Sequence, residues 1–148
     1  MAQQAVEIEI KPRRHVLDLD DYTPAELDLT IKTTDTMREV LSRNVKKVSV
    51  LQGKSIVNLL YEPSTRTRIS FEQAGKMLSA DVINLSPSTS SAAKGESLLN
   101  TARTLQATHV DFFVIRHPCA GAPNLLAKFV SGSVINAGDG AHAHPTQA

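Results

Sequence analysis

The fold is decided by residues 56–78, which read IVNLLYEPSTRTRISFEQAGKML. The apolar run 56–60 predicts a buried strand, and the pattern of residues 69–78 predicts a helix. Between them two arginines alternate with three hydroxyl residues, in the order Ser64-Thr65-Arg66-Thr67-Arg68. Pro63 has a fixed φ and disfavours helix at the preceding residue, so the strand is expected to end where these polar residues begin.

This strand-to-helix turn has the composition of an anion site. The first amides of a helix lack intrahelical partners and carry the positive end of its dipole, which favours a bound phosphate. Arginine can hold two phosphate oxygens at once, and hydroxyl groups can donate to others. The alternative is a simple helix start, in which Ser64 or Thr65 caps the helix while the arginines are solvated or paired with Glu62 and Glu72.

Composition is that of a single-domain globular protein. The chain has 148 residues, of which 41% are hydrophobic, enough for one core but short for a two-domain enzyme. Its 16 basic and 15 acidic residues are spread along the sequence, which argues against a nucleic-acid partner. Cys119 is the one cysteine, so no internal disulfide can form. Without a signal peptide or an apolar run approaching ~18 residues, we expect a cytoplasmic protein with no membrane partner.

The first part of the chain predicts an arm followed by a helix. We interpret residues 1–14 as a poorly ordered arm that precedes one domain at 15–148. Thr23, Pro24 and Glu26 have the spacing of a capping box and predict a helix start. Residues at three- and four-residue spacing predict the buried face of this helix: Leu27, Ile31, Thr34, Met37, Val40 and Leu41.

Strands and helices are predicted to alternate through the rest of the chain. The predicted strands are 55–60, 82–85, 112–115 and 134–137, and the predicted helices are 69–78, 96–106 and 124–130. This order predicts an α/β fold, an open parallel sheet of about four strands with helices on both faces. Right-handed crossovers bring the loops after the strands to one edge, where such sheets bind ligands. The loops expected there are Ser64–Arg68, Ser86–Lys94, Arg116–His117 and His142–Gln147.

Three of these loops carry motifs that point to a known family. Ser64–Arg68 follows the first strand, Arg116-His117-Pro118 follows the third, and His144-Pro145-Thr146-Gln147 follows the fourth. In this order they resemble the aspartate and ornithine carbamoyltransferases. Several motifs in one order make the resemblance far more specific than a single phosphate loop would be.

The resemblance covers nearly the whole chain, from about Arg14 to Ala148. Two further segments, Ser90–Ser97 and Asn136–Gly140, are more similar to the aspartate branch of the family than to the ornithine branch. The family therefore implies that residues 15–148 form an α/β carbamoyl-phosphate-binding domain, the N-terminal domain of a carbamoyltransferase.

By this resemblance, the site residues divide according to the part of carbamoyl phosphate that they contact. The phosphate group is implied to lie on Ser64, Thr65, Arg66 and Thr67. Thr67, Arg116 and His144 are implied to donate to the carbonyl oxygen, where negative charge gathers when an amine attacks. Gln147 is implied to orient the carbamoyl amino group through its amide oxygen, and Arg68 matches a supporting position.

Two more residues are implied to act across a subunit boundary. Ser90 and Lys94 match residues on a loop that enters the active site of the neighbouring subunit in a homotrimer. Lys94 would then contact both substrates. Taken without the family, the same small and polar residues are equally compatible with a surface loop that carries a solvated lysine.

The implied activity is transfer of the carbamoyl group from carbamoyl phosphate to the amino group of L-aspartate. The products are N-carbamoyl-L-aspartate and phosphate, in de novo pyrimidine biosynthesis, and the chemistry needs no metal, cofactor or covalent enzyme intermediate. In the family a second domain binds aspartate, and no such domain follows Ala148 in this sequence. We therefore expect an excised or truncated domain that has no appreciable transferase activity alone.

Other interpretations of the same residues stay open. The chain can be a non-catalytic phosphate-binding or assembly module, or part of an ornithine carbamoyltransferase, and the sequence does not tell whether regulatory chains or a dihydroorotase associate with it. His117, His142 and His144 could suggest a metal site, but no carboxylate or thiol lies at typical ligand spacing. Cys119 is expected to be a small packing residue. Asp139 is expected to shape a tight turn, with a role in orienting His144 left open.

Overall fold

The structure is a computed structural model that describes residues 12–86 and 97–147. Its elements, in chain order, are α1 Pro24–Leu41, β1 Ser55–Leu60, α2 Thr65–Met77, β2 Asp81–Leu85, α3 Leu98–Ala107, β3 Phe112–His117, α4 Ala122–Ala127, β4 Ser133–Asp139 and a short 3-10 turn, Pro145–Gln147. The predicted alternation of strands and helices is confirmed. Over the described residues, no helix has the length and apolar character needed to cross a membrane.

The four strands form one parallel sheet in the order β2-β1-β3-β4. Ile56 of β1 lies beside Val82 of β2 on one side and Phe112 of β3 on the other. The chain moves outward from β1 to β2 and then crosses back to β3, and right-handed connections put the helices of these two crossovers on opposite faces. The predicted open α/β sheet with helices on both faces is confirmed.

Two apolar clusters, one on each face, hold the sheet. The cluster under α3 and α4 consists of Val57, Leu59, Ala102, Val110, Phe113, Ile115, Leu126, Val130 and Val134. The cluster under α2 consists of Ile56, Ala80, Val114 and Ala137, with Phe71 packed against it. Because successive strand residues point to opposite faces, β1 and β3 contribute to both clusters. The carboxyl ends of these two central strands are therefore fixed from both sides.

Helix α2 begins earlier than the predicted residue 69. Its first residue is Thr65, and Ser64 is the N-cap, whose Oγ accepts a hydrogen bond from the Thr67 amide at 3.3 Å. The alternating hydroxyl and arginine residues therefore form the first helical turn and not a loop. Strands β3 and β4 also extend further than predicted, so Arg116 lies within a strand.

The predicted buried face of α1 is wrong over most of its length. Val40 is buried, but Leu27 is 38% exposed and Ile31 is 61% exposed. The apolar packing of the helix is near its end, where Met37 and Val40 line a small apolar cavity together with the last turn of α2. Periodic spacing predicts an amphipathic helix but not the partner that its apolar stripe packs against.

The predicted arm, residues 1–14, is described only from residue 12 onward. Arg13 is held against the domain, because its Nε donates to Oε1 of Glu26 at 2.7 Å. Three residues later, Val16 forms an isolated parallel bridge with Ile135. The segment that directly follows the arm thus lies along the outer edge of β4.

Candidate active site

The N-terminus of α2 presents a dense set of hydrogen-bond donors. Ser64 Oγ accepts from the Thr67 amide and donates to Thr67 Oγ1 at 2.8 Å, which fixes two of the three hydroxyl groups relative to each other. The amides of Thr65 and Arg66 head the helix, where helix geometry provides no intrahelical acceptor. Within the described residues, neither Arg66 nor Arg68 forms a salt bridge, and both are exposed.

In the simple helix start, Glu62 and Glu72 are candidates to pair with the two arginines. Both of these acidic residues have other partners. Glu72 forms an ion pair with Lys76. Glu62 Oε2 lies 3.3 Å from Nε of Arg116. The cap of the simple helix start is therefore present, and its arginines are exposed, as its solvated form expects, without an ion pair to Glu62 or Glu72 among the described residues. The two guanidinium groups leave positive charge at the start of the helix.

Arg116 lies directly beside the segment that leads into α2. It is the residue of β3 that pairs with Leu60 at the end of β1, and its carbonyl accepts a hydrogen bond from the Tyr61 amide at 2.9 Å. The ion pair with Glu62 then holds its guanidinium group, which is 27% exposed, at this edge of the sheet. Strand pairing and one salt bridge together place a cation next to the N-terminus of α2.

His144 reaches the same place from the end of β4. Gly138 has a φ of +114°, and a methyl group on it would lie 3.1 Å from His144 Cδ2 and 3.2 Å from Arg116 Nη1. A side chain at this position would therefore crowd both residues, which shows that both lie close to Gly138. The structure brings Arg116 and His144 together, although they are far apart in the sequence.

The imidazole of His144 keeps one nitrogen unused. Its Nδ1 lies 3.2 Å from Thr146 Oγ1, while Nε2 is buried and has no hydrogen-bond partner among the described residues. Burial, and next the charge of Arg116, lower the pKa of His144, which favours the neutral ring. When the Thr146 hydroxyl donates to Nδ1, the ring proton resides on Nε2. His144 then offers an unused N–H donor beside a guanidinium group.

The remaining predicted site residues are less closely defined. Gln147 ends the 3-10 turn, is exposed, and its amide donates to the His144 carbonyl at 3.0 Å. Thr65 is exposed in the first turn of α2. Ser90 and Lys94 lie outside the described residues.

Three residues that shape this site are not predicted from the sequence: Glu62, Gly138 and Thr146. Thr146 follows His144 by two residues inside a motif that is already recognisable, so its position was a usable signal. Glu62 and Gly138 act on residues that are distant along the chain. Only the pairing of β1, β3 and β4 brings these partners together, and no local pattern encodes it.

Polar residues at the end of β3 and on the loop that follows it have structural partners. His117 Nδ1 accepts a hydrogen bond from the Cys119 amide at 3.0 Å, and its ring lies against Tyr61 with centroids 4.8 Å apart. Burial lowers the pKa of His117. Cys119 is exposed, so its predicted packing role is wrong; the loop turns its thiol to solvent while its amide binds the histidine. In the part of the chain that the structure describes, no group of three or more His, Cys, Asp or Glu residues is arranged to hold a metal ion.

This edge of the sheet can stabilise negative charge at two adjacent positions of a ligand. The first turn of α2 suits a phosphate group, because it carries both unpaired amides and the guanidinium group of Arg66. Arg116 and His144 supply donors for a second oxygen close by. Such donors, fixed in place before a reaction, stabilise negative charge that develops on that oxygen.

Comparison with known proteins agrees with this geometry. A family profile described as "Aspartate/ornithine carbamoyltransferase, carbamoyl-P binding domain" matches residues 14–148. The chain belongs to the aspartate/ornithine carbamoyltransferase family. Among carbamoyltransferases, the aspartate carbamoyltransferase catalytic subunit of Roseiflexus castenholzii is 60% identical over 136 residues, and that of Desulforudis audaxviator is 56% identical over 137 residues.

The chain spans less than half the length of these carbamoyltransferases. The two matches cover 92% and 93% of this chain, but only 43% and 45% of the relatives. Matches to solved structures likewise cover less than half of the matched chain. The catalytic subunit of M. jannaschii aspartate transcarbamoylase has a TM-score of 0.82 at 39% identity, covering 91% of this chain and 44% of its own. Aspartate transcarbamoylase from Trypanosoma cruzi, in complex with carbamoyl phosphate and aspartate, has a TM-score of 0.83 at 31% identity, with coverage of 90% and 44%.

Gly138→Ala is expected to displace His144 and Arg116, because the added methyl group would crowd both side chains. The matched control is Gly53→Ala, where φ is also positive, at +76°, but no atom lies within 4 Å of the new methyl group. Both changes should lower the free energy of unfolding by about 1–3 kcal/mol through backbone strain. Only Gly138→Ala should shift the imidazole resonances of His144 in NMR spectra. Identical His144 resonances in both variants would contradict this placement.

His144 is expected to make the stability of the domain depend on pH. Because its pKa is lowered in the folded state, the unfolded chain takes up a proton near the ordinary value of 6.5 while the folded chain does not. The free energy of unfolding should therefore fall as the pH drops from 6.5 toward the folded pKa. Urea unfolding of His144→Gln at several pH values should show a smaller fall. If His144→Gln had the same pH dependence as the unaltered chain, the pKa of His144 would not be lowered by burial.

Proposed function

We propose that this chain forms the carbamoyl-phosphate half of an aspartate carbamoyltransferase. The reaction is transfer of the carbamoyl group from carbamoyl phosphate to the amino group of L-aspartate, giving N-carbamoyl-L-aspartate and phosphate, a step of pyrimidine biosynthesis. The relatives at 60% and 56% identity are named as aspartate carbamoyltransferase catalytic subunits, which favours aspartate over ornithine as the amine.

One observation carries this proposal. At a single edge of the sheet, the N-terminus of α2 adjoins an arginine and a neutral histidine whose Nε2 has no partner among the described residues. A phosphate group and an adjacent carbonyl oxygen are the two acceptors that such a set of donors requires. Carbamoyl phosphate carries both, separated by one bridging oxygen.

The phosphate end is proposed to bind at the first turn of α2. The helix amides and the Arg66 guanidinium group surround the dianion, with the hydroxyl of Thr65 as a further donor. Ser64 caps this turn and donates its hydroxyl proton to Thr67 Oγ1, which leaves the Thr67 proton for the carbonyl oxygen. Thr67 is buried and its hydroxyl is already fixed by Ser64 at 2.8 Å, so little ordering is needed on binding. The same donors stabilise phosphate when it leaves.

The carbonyl end is proposed to lie between Arg116 and His144. When the amine of aspartate attacks the carbamoyl carbon, a C–N bond forms, the C–O bond to phosphate breaks, and the amine releases a proton. Negative charge on the carbonyl oxygen is stabilised by Arg116, by the Nε2–H of His144 and by the hydroxyl of Thr67, each worth about 3 kcal/mol in comparable sites. Gln147 is proposed to orient the carbamoyl amino group by accepting from it.

Aspartate itself is proposed to bind mainly to residues outside this chain, since the chain spans 43% of its Roseiflexus relative. The domain of residues 15–148 would then bind carbamoyl phosphate but not complete the transfer alone, with residues 1–14 as an arm. The cytoplasm is the proposed location, because a chain with one cysteine needs no oxidising compartment.

The phosphate cradle is tested by calorimetric titration of carbamoyl phosphate into the chain. Arg66→Ala should weaken binding about 10- to 100-fold, because it removes a charge-assisted contact to the phosphate. Arg103→Ala, an exposed arginine of α3, removes the same charge elsewhere and should leave the affinity within about two-fold. Equal weakening by both variants would mean that the ligand responds only to net charge. No binding by the unaltered chain would instead favour a non-catalytic module.

We also propose that the active form is a homotrimer in which Ser90 and Lys94 reach the site of a neighbouring subunit. In that case Lys94→Ala should leave the assembly intact but weaken carbamoyl phosphate binding, because Lys94 contacts the ligand from the neighbouring copy. Sedimentation velocity measures the assembly and calorimetry the affinity. A monomer that binds carbamoyl phosphate equally well with and without Lys94 would remove this part of the proposal.

A further inference from the structure

Asp139, at the carboxyl end of β4, is the one charged side chain among the buried polar residues that the structure describes. Its carboxylate accepts hydrogen bonds from the Gly121 amide at 2.8 Å, from Asn136 Nδ2 at 2.9 Å and from the Ala143 amide at 3.0 Å. His142 Nδ1 lies 3.0 Å from Oδ2 and, facing a carboxylate, acts as the donor. Burial alone would raise the pKa of Asp139, but these hydrogen bonds outweigh it and the pKa is lowered.

The partners of this carboxylate come from two loops at the same edge of the sheet. Gly121 belongs to the loop between β3 and α4, and Ala143 immediately precedes His144. The second loop is closed from both sides, because the Asp139 amide also donates to the Ala143 carbonyl at 3.1 Å. One buried side chain therefore connects the residue before His144 to the loop that follows Arg116.

Asn136 makes this connection rigid. Its Nδ2 donates to the Leu17 carbonyl at 2.8 Å as well as to Asp139, and its Oδ1 accepts from the Gly138 amide at 2.8 Å. The carboxylate is thus connected through Asn136 to the glycine that lies close to both Arg116 and His144. None of these bonds uses the His144 ring, whose Nε2 stays without a partner among the described residues.

A purely structural carboxylate also exists in this domain and provides a contrast. Asp111, at the amino end of β3, accepts from the Ser55 amide at 2.9 Å and from Lys54 Nζ at 2.9 Å. It connects strands at the edge of the sheet opposite to the candidate site. The two aspartates therefore have comparable hydrogen-bonding roles but different positions relative to His144.

We propose that Asp139 is a positioning residue for the transfer reaction, because its buried carboxylate fixes the backbone before His144 and so sets where the Nε2–H donor stands. This inference rests on the proposed function for its chemical meaning, but the position of His144 can be measured without any ligand. Asp139 itself contacts no substrate. Its carboxylate acts through the Ala143 amide.

The test compares Asp139→Asn with Asp111→Asn in the same chain. An asparagine offers one acceptor oxygen and places an NH₂ group against a donor, so Asp139→Asn should loosen the loop. We expect shifted His144 imidazole resonances in NMR spectra, faster exchange of the Ala143 amide, and about ten-fold or greater loss of carbamoyl phosphate affinity, the range seen for outer-shell partners at other sites. Asp111→Asn should lower the unfolding temperature but leave His144 and the affinity within about two-fold.

Unchanged His144 resonances in Asp139→Asn, or equal changes in both variants, would overturn the inference. If the unaltered chain binds no carbamoyl phosphate, the proposed function fails, while the His144 resonances still decide whether Asp139 positions the ring. If Asp139→Asn does not fold, hydrogen exchange of the unaltered chain decides. Amides of Gly121 and Ala143 that exchange as slowly as those of β3 support the inference, and fast exchange overturns it.

Discussion

Parallel pairing of β1 with β2 and β3, and of β3 with β4, is the constraint on which the rest of the structure depends. In a parallel sheet every strand ends at the same edge, so the loops that follow the strands must meet there. Apolar clusters on both faces keep the central strands from shifting in register, since a slip of one residue would turn Val57 or Phe113 to the wrong face. The position of the site is therefore a consequence of the core.

Within that edge, the donors are fixed by interactions of different kinds. The hydroxyls of Ser64 and Thr67 are held by the cap of α2, whereas Arg116 is held by strand pairing and by Glu62. His144 depends on a loop, and the buried Asp139 network gives that loop the rigidity that a strand would otherwise provide. A neutral imidazole beside a guanidinium group is a consistent pair, because burial and the neighbouring charge both disfavour a second cation.

Much of the fold can be predicted from the sequence, because apolar runs bounded by Gly, Pro and polar residues specify the strands locally. The start of α2 was missed because arginine and threonine alternate there without an apolar stripe, while the cap is made by one hydroxyl. The exposed face of α1 is not predicted, because the spacing of apolar residues indicates an amphipathic helix but not what its apolar face packs against. The contacts of Gly138 depend on residues brought together only by folding, and local patterns do not encode them.

The central claim is that one small ligand spans the start of α2 and the Arg116–His144 pair. A crystal structure of the chain with carbamoyl phosphate tests it most directly. The account predicts phosphate oxygens on the first-turn amides and Arg66, with the carbonyl oxygen within hydrogen-bonding distance of His144 Nε2 and the Arg116 guanidinium group. A ligand bound at α2 with its carbonyl group turned away from both residues, or bound elsewhere on the sheet, would contradict it.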